Sequence, residues 1–125
     1  MSRRERDKGV RGEREVLERL ESAGFTVRGL EGSGDHLAIG HGLMLHVESK
    51  RQETARPWAW WEQASSETPD GCVTVVAFRR SRSRWLALVD LEELLAIFAR
   101  LAGDADAARG VANGYASALA DRGLL

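Results

Sequence analysis

Two carboxylates and an ammonium group occur at positions from which they could meet at one end of a β-hairpin. Asp35 follows a glycine-rich stretch, and Glu48 and Lys50 close a run that alternates between apolar and other residues. Residues two apart in a strand leave the same face, so Glu48 and Lys50 project together. If His41-Gly42 forms a two-residue hairpin loop, Asp35 falls directly opposite Glu48. A one-residue slip in register would separate the two carboxylates.

A third carboxylate, Glu13, lies on a helix that is predicted before the hairpin. It precedes the apolar stripe of Val16, Leu17 and Leu20 and projects from the same face. A buried carboxylate is costly without compensation, and the alternative is that Glu13 lies at the edge of the stripe or pairs with an arginine. Three converging carboxylates would favour a hard divalent cation, and Mg²⁺ is the obvious candidate. With Lys50 to orient a water and stabilise charge on a phosphate, the set predicts metal-assisted phosphodiester hydrolysis.

The elements that position these residues are predicted from periodicity and capping signals. Helices are predicted over residues 9–23 and 58–66 and after Asp90, and strands over residues 25–28, 72–78 and 85–89 in addition to the hairpin. The order α-β-β-β-α-β-β-α predicts an α/β fold with a central mixed five-stranded sheet flanked by helices. We expect a single domain over residues 1–125, with a mobile basic arm at 1–8 and a peripheral, weakly helical segment at 103–125.

Several side chains have a default structural interpretation beside a functional one. Asp90 is predicted to cap the last helix with Glu93. Its core face would comprise Leu91, Leu94, Leu95, Phe98 and Leu101. Trp58, Trp60 and Trp61 are interpreted as core or interface residues, with base stacking as the weaker alternative. His36 and His46 could approach each other across the hairpin as transition-metal ligands, but exposed or hydrogen-bonded histidines, His41 included, are the default.

Composition limits the class of protein. The single cysteine, Cys72, excludes an intramolecular disulfide and a cysteine-rich zinc site and suits a reducing cytoplasm. No apolar run approaches the ~20 residues of a membrane span, and the charged N-terminus lacks the apolar segment of a secretory signal. We therefore expect a cytoplasmic protein without a membrane partner.

Charge is distributed unevenly although the net charge of −1 gives no global argument for nucleic acid. One basic cluster lies near the N-terminus and a second follows residue 78; solvated surfaces are the alternative interpretation of both. In the functional interpretation the two clusters bind DNA phosphates through Arg3, Arg4, Arg6, Lys8, Arg11, Arg79, Arg80, Arg82 and Arg84.

In the order and spacing of these parts, the sequence resembles the PD-(D/E)xK nuclease superfamily, and within it the small Holliday junction resolvases of archaeal and phage type. The resemblance covers about residues 8–100 and is carried by Gly12-Glu13, Gly24-Phe25, Ser33-Gly34-Asp35 and Glu48-Ser49-Lys50. The sequence departs from the family pattern at Gly34, where a proline is usual, and at His36, where an aliphatic residue is usual.

The resemblance implies a restriction-endonuclease-like fold and a Mg²⁺-dependent endodeoxyribonuclease, with Mn²⁺ as a substitute and no organic cofactor. It implies that Glu13, Asp35 and Glu48 bind metal, that Lys50 is catalytic and that Ser33 contacts the DNA backbone. The family acts as a homodimer that nicks two strands of a four-way junction symmetrically. The alternatives are a related nuclease for another branched or single-stranded DNA, and a non-catalytic DNA-binding or assembly module in which Glu48 and Lys50 form an ordinary salt bridge.

Overall fold

A computed structural model describes residues 2–30 and 35–102. Its contacts divide the chain into two compact units, residues 1–89 and 90–125. The element order α-β-β-β-α-β-β-α agrees with the prediction, and the segment 103–125 lies outside the described residues. The elements are α1 (Arg3–Ser22), β1 (Thr26–Gly29), β2 (His36–Gly40), β3 (Leu43–Arg51), α2 (Pro57–Glu67), β4 (Val73–Arg79), β5 (Leu86–Leu88) and α3 (Leu91–Ala102).

Helix α1 begins at Arg3, well before the predicted start at residue 9. Ser2 caps it: its Oγ accepts from the Glu5 backbone N–H at 3.1 Å, and the Glu5 side chain accepts from the Ser2 N–H at 3.1 Å. This reciprocal capping box satisfies two N–H groups that the first turn would otherwise leave unpaired. Residues 3–8, which the sequence assigned to a mobile arm, are therefore helical, and the mobility of the arm stays a prediction.

The five strands lie in chain order across one mixed sheet. β3 and β4 are parallel, with α2 as the crossover between them, and the other neighbours are antiparallel. The β2–β3 connection is the predicted two-residue loop, because Gly40 pairs with Leu43. His41 and Gly42 both have positive φ, 53° and 71°, as the tightest hairpin turns require.

Helices α1 and α2 cover opposite faces of the sheet. Val16 of α1 packs with Ala38 and Val47, and on the other face Trp60 of α2 packs with Val76. Since side chains alternate along a strand, the residues on either side of Val47 face α2. Among the three tryptophans of α2, Trp60 is buried as expected, Trp61 is half-buried and Trp58 is 80% exposed.

Helix α3, in the second unit, has the predicted cap and an unexpected surface. Asp90 Oδ1 accepts from the Glu93 N–H at 3.1 Å. The prediction of a buried apolar face is wrong for Leu91, Leu95 and Phe98, which are 64%, 51% and 54% exposed. An amphipathic pattern identifies an apolar face but does not supply an element that covers it. None of the helices in the described ranges is long and apolar enough to cross a membrane.

Candidate active site

The hairpin register brings the two predicted carboxylates together. His36 pairs with Val47, so the next positions along the two strands, Asp35 and Glu48, lie opposite each other as predicted. Both face α2, and each is only 6% exposed. Two buried carboxylates side by side require cationic compensation, because burial penalises each charge and the charges repel.

Lys50 compensates only part of that charge. Its Nζ lies 2.8 Å from Glu48 Oε1, on the face that the sequence predicted. The other oxygen, Glu48 Oε2, is buried and has no hydrogen-bond partner among the described residues. A buried carboxylate oxygen without a partner is expensive, and oxygen ligands are what a hard divalent cation prefers. The residues present therefore fit a divalent cation at Asp35 and Glu48.

A third carboxylate does join this pair, and it is Glu67 at the end of α2. Asp35, Glu48 and Glu67 each offer an oxygen, and the three oxygens lie within 4.8 Å of one another. Glu67 was not among the residues predicted from the sequence. Its only signal is its place before the Thr68-Pro69 turn, where the crossover helix ends and the chain returns to the sheet beside β3.

The environment of Asp35 favours its protonated form. Burial is the largest cause that raises the pKa of its carboxyl, followed by the negative charge of Glu48; Glu67 adds a further charge and a hydrogen bond, whereas His46 acts in the opposite direction. The carboxylates at this centre repel one another in the protein without a cation.

His46 contacts Asp35 and connects it to a buried polar network. His46 is 1% exposed, and its Nε2 lies 3.2 Å from Asp35 Oδ2. Its Nδ1 lies 3.1 Å from Thr68 Oγ1, which donates to the Ala64 carbonyl at 2.7 Å and lies 2.7 Å from Thr74 Oγ1. This network joins β2, β3, β4 and the end of α2, and so fixes the orientation of the Asp35 carboxylate.

Glu13, the third carboxylate predicted for this site, lies on α1 outside the group of three carboxylates. Glu13 is half-buried. The preceding Gly12 lies against Arg51, since a Cβ added to it would be 3.0 Å from the Arg51 Cβ. Glu13 is thus on a turn of α1 beside the end of β3, and a role in metal binding stays a prediction.

Glu15 of α1 is half-buried and contacts two residues that are distant from it in sequence. Its Oε2 accepts from Trp85 Nε1 at 2.8 Å and lies 3.4 Å from Arg79 Nε. The guanidinium of Arg79 also lies 5.6 Å from the centre of the Trp85 ring. Arg79 is therefore engaged in packing, unlike Arg80, Arg82 and Arg84, which are exposed.

The two basic clusters, distant in sequence, are joined in the structure by Glu53. The Glu53 carboxylate accepts from Lys8 Nζ at 2.5 Å and from the Ser81 N–H at 3.1 Å. Hydrogen bonds from Lys8 first, and then from Ser81, lower the pKa of Glu53 to about 2. Exposed arginines lie on both sides of this link: Arg3, Arg4, Arg6 and Arg11 on α1, and Arg80, Arg82 and Arg84 after β4. Ser33, the remaining predicted DNA contact, lies outside the described residues.

The histidines do not form the transition-metal site that was considered as an alternative. His36 pairs with Val47 and faces α1, whereas His46 faces α2, so the two imidazoles lie on opposite sides of the sheet. His41 is exposed, and its Nε2 lies 2.7 Å from the Ala23 carbonyl. His41 and His46 therefore follow the default interpretation of hydrogen-bonded histidines.

Comparison with solved structures identifies a similar protein. The chain is similar to Hjc, a Holliday junction resolvase from the archaeal hyperthermophile Archaeoglobus fulgidus, with a TM-score of 0.55 and 26% sequence identity over 66% of this chain and 72% of that chain. This chain has the restriction-endonuclease-like fold of Hjc. The predicted resemblance to a PD-(D/E)xK nuclease of the resolvase type is thereby confirmed. No protein-family model matches the sequence, and no curated protein matches it significantly.

Proposed function

We propose that this protein is a metal-dependent, structure-selective endodeoxyribonuclease that resolves four-way DNA junctions by paired, symmetric hydrolysis. The observation that carries the proposal is the convergence of Asp35, Glu48 and Lys50 on one buried face, with Glu48 Oε2 left without a partner. The likeness to Hjc, a Holliday junction resolvase, supports a junction-resolving nuclease.

The residues at the centre divide the chemical roles between them. Asp35 and Glu48 would hold the cation, Mg²⁺ with Mn²⁺ as its substitute, and the resemblance adds Glu13 as a ligand. The bound cation would polarise the scissile phosphate and activate the attacking water. Lys50, held by Glu48, presents a fixed positive charge to the phosphate. His46 keeps Asp35 oriented.

DNA would bind through backbone contacts to the exposed arginines on both sides of Glu53. Lys8 and Ser33 belong to the proposed contacts through the sequence prediction. Because each neutralised phosphate releases counterions, the binding constant should fall steeply with salt, by roughly tenfold or more for a few contacts over the physiological range. We further propose that the protein acts as a homodimer, since two symmetric nicks require two centres, and that it needs no organic cofactor.

One observation also suits a second candidate function, a DNA-binding or assembly module without activity. The Glu48–Lys50 ion pair at 2.8 Å is what such a module would retain for stability alone. The two candidates differ in what they require of the cation, because only the nuclease needs one.

Cleavage of a labelled four-way junction, with linear duplex and single strand alongside, separates these functions. The reactions would contain either Mg²⁺ or a chelator, and the native protein would be compared with Asp35→Asn. Paired symmetric nicks in the junction alone, lost with chelator and with the variant, are the expected result. Equal cleavage of every DNA would assign a different nuclease substrate, and tight junction binding without cleavage in either Mg²⁺ or Mn²⁺ would leave the inactive module.

A further inference from the structure

The carboxylate cluster at the candidate active site contains a residue, Glu67, to which the family resemblance gives no role. Glu67 is the last residue of α2 and lies outside every motif that the sequence analysis used. Its oxygen nevertheless lies within 4.8 Å of oxygens of both Asp35 and Glu48. It also hydrogen-bonds Asp35, which contributes to the raised pKa of that carboxyl.

The position of Glu67 is unfavourable for an anion unless something positive lies nearby. The C-terminal end of a helix carries a partial negative charge, and the last turn of α2 contains no basic residue. Three carboxylates therefore meet the negative end of a helix, and Lys50 is bonded to only one of them. A divalent cation would remove this excess of negative charge.

A second observation, independent of the clustering, points to a ligand at the same place. Glu48 Oε2 is buried from solvent and has no hydrogen-bond partner among the described residues, whereas Glu48 Oε1 lies 2.8 Å from Lys50 Nζ. The Glu48 side chain is 8% exposed, so water is largely excluded from it. A buried carboxylate oxygen without a hydrogen-bond partner is costly, and coordination to a hard divalent cation would satisfy it.

We infer that Glu67 supplies a carboxylate ligand to the cation held by Asp35 and Glu48, so that α2, and not α1 alone, completes the site. The inference deepens the proposed function and rests on it for the nature of the cation. On this account Asp35 comes from the start of β2, Glu48 from β3 and Glu67 from the crossover helix, and all three lie on one face of the sheet. In the protein without the cation, Asp35 and Glu67 then form a hydrogen bond with each other.

The test is isothermal titration calorimetry of the full chain with Mn²⁺, in the absence of DNA. The native protein would be compared with Glu67→Gln, Glu67→Asp, Glu13→Gln and a matched control, Glu62→Gln. Glu62 is also an exposed glutamate on α2 but does not belong to the carboxylate group. Thermal unfolding without metal confirms that each variant folds; Glu67 is exposed, so its substitution leaves the core intact.

The expected result is that Glu67→Gln weakens Mn²⁺ binding by at least about tenfold, since even residues that only support a ligand cost 10–100-fold in affinity. Glu67→Asp should recover part of the affinity, and Glu62→Gln should bind like the native protein. The inference stands whether or not Glu13→Gln also weakens binding.

Native affinity in Glu67→Gln would overturn the inference, and a loss in Glu13→Gln alone would assign the third carboxylate to α1. A native protein that binds no Mn²⁺ would overturn the metal-dependent function together with the inference. A native protein that binds Mn²⁺ and cleaves junctions, with Glu67→Gln unchanged in both, would leave the function and remove only Glu67.

Discussion

The two faces of the β2–β3 hairpin differ in the residues that they bury. On the face that packs on α1, Ala38 and Val47 of the hairpin form a buried apolar core with Val16, each at 5% exposure or less. On the opposite face, under α2, Asp35, His46 and Glu48 are buried, and Thr74 of the neighbouring β4 is buried beside His46. A single alternating pattern thus builds a dry core on one side and a polar centre on the other.

The difference indicates a division of roles between the faces. Apolar burial on the α1 face fixes the register of the hairpin, because a one-residue slip would turn Val47 toward α2 and Glu48 into the apolar core under α1. The α2 face holds buried carboxylates, which are unfavourable unless they are compensated, and the proposed cation would compensate them. Changes on the α1 face should therefore alter stability, and changes on the α2 face should alter chemistry.

Lys50→Ala should give the largest effect and should act on chemistry. Removal of a fixed charge that stabilises a transition state typically costs about 10²–10³-fold in rate. We expect a loss of that size in single-turnover junction cleavage, with junction binding retained. A variant that cleaves at the native rate would remove Lys50 from the catalytic set.

Val16→Ala tests the opposite face. Removal of two buried methyl groups should lower the free energy of unfolding by about 2 kcal/mol. Cleavage by the folded protein, measured well below the melting temperature, should be unchanged. A loss of rate without a loss of stability would show that the two faces do not separate as described.

His46→Ala should affect both stability and the site, since His46 joins the two. Asp35 and Thr68 would lose a buried partner, at a cost of about 1–3 kcal/mol in unfolding free energy, and Mn²⁺ affinity should fall. His41→Ala on the same hairpin is the control for metal affinity, because His41 lies in the turn at the other end of the hairpin from the carboxylates. Metal titration of both variants measures the contrast, and urea unfolding gives the stability cost of His46→Ala; equal effects of the two variants on Mn²⁺ affinity would contradict a specific role for His46.

Arg80→Ala with Arg82→Ala should weaken binding to every DNA similarly. Each phosphate contact that is lost should reduce the slope of log binding constant against log salt by about one. Binding measured at several salt concentrations on junction, duplex and single strand gives that slope. A loss confined to one DNA would contradict the assignment of these arginines to backbone contacts.

The pH dependence of stability without metal should give the smallest effect, with opposite signs for two carboxyls. The raised pKa of Asp35 stabilises the fold below its unfolded value of 3.8, and this contribution is lost as pH rises through the folded pKa. Glu53 stabilises the fold above 4.5, and its contribution is lost as pH falls toward about 2. Urea unfolding in chelator should show the first trend disappear in Asp35→Asn and the second in Glu53→Gln.

The parts of the site that local pattern determines were predictable from sequence. The His41-Gly42 turn and the alternation of β3 set the register, and the register places Asp35 opposite Glu48, which forms an ion pair with Lys50. The hydrogen-bonded cap of α1 was also readable, because Ser2 and Glu5 have the spacing of a capping box, but the basic composition of the segment led to the prediction of a mobile arm.

The parts that depend on packing between distant elements were not predictable. Glu67 approaches Asp35 only because the α2 crossover returns over the hairpin, and no local spacing encodes that approach. Helical periodicity predicted Glu13 as the carboxylate facing inward, but Glu15 is the one that bonds Trp85, because Trp85 and Arg79 supply the partners. The apolar stripe of α3 predicted a buried face, but the pattern does not indicate which element would bury it, and Leu91, Leu95 and Phe98 are exposed.

The most direct test of a metal centre on the α2 face is the anomalous diffraction signal of Mn²⁺ in crystals of the native protein, with Asp35→Asn grown under the same conditions. The account predicts a peak within ligand distance of Asp35 and Glu48 in the native protein, with Glu67 as a further ligand, and no peak in the variant. A Mn²⁺ ion bound elsewhere, or none at a concentration that supports cleavage, would contradict it.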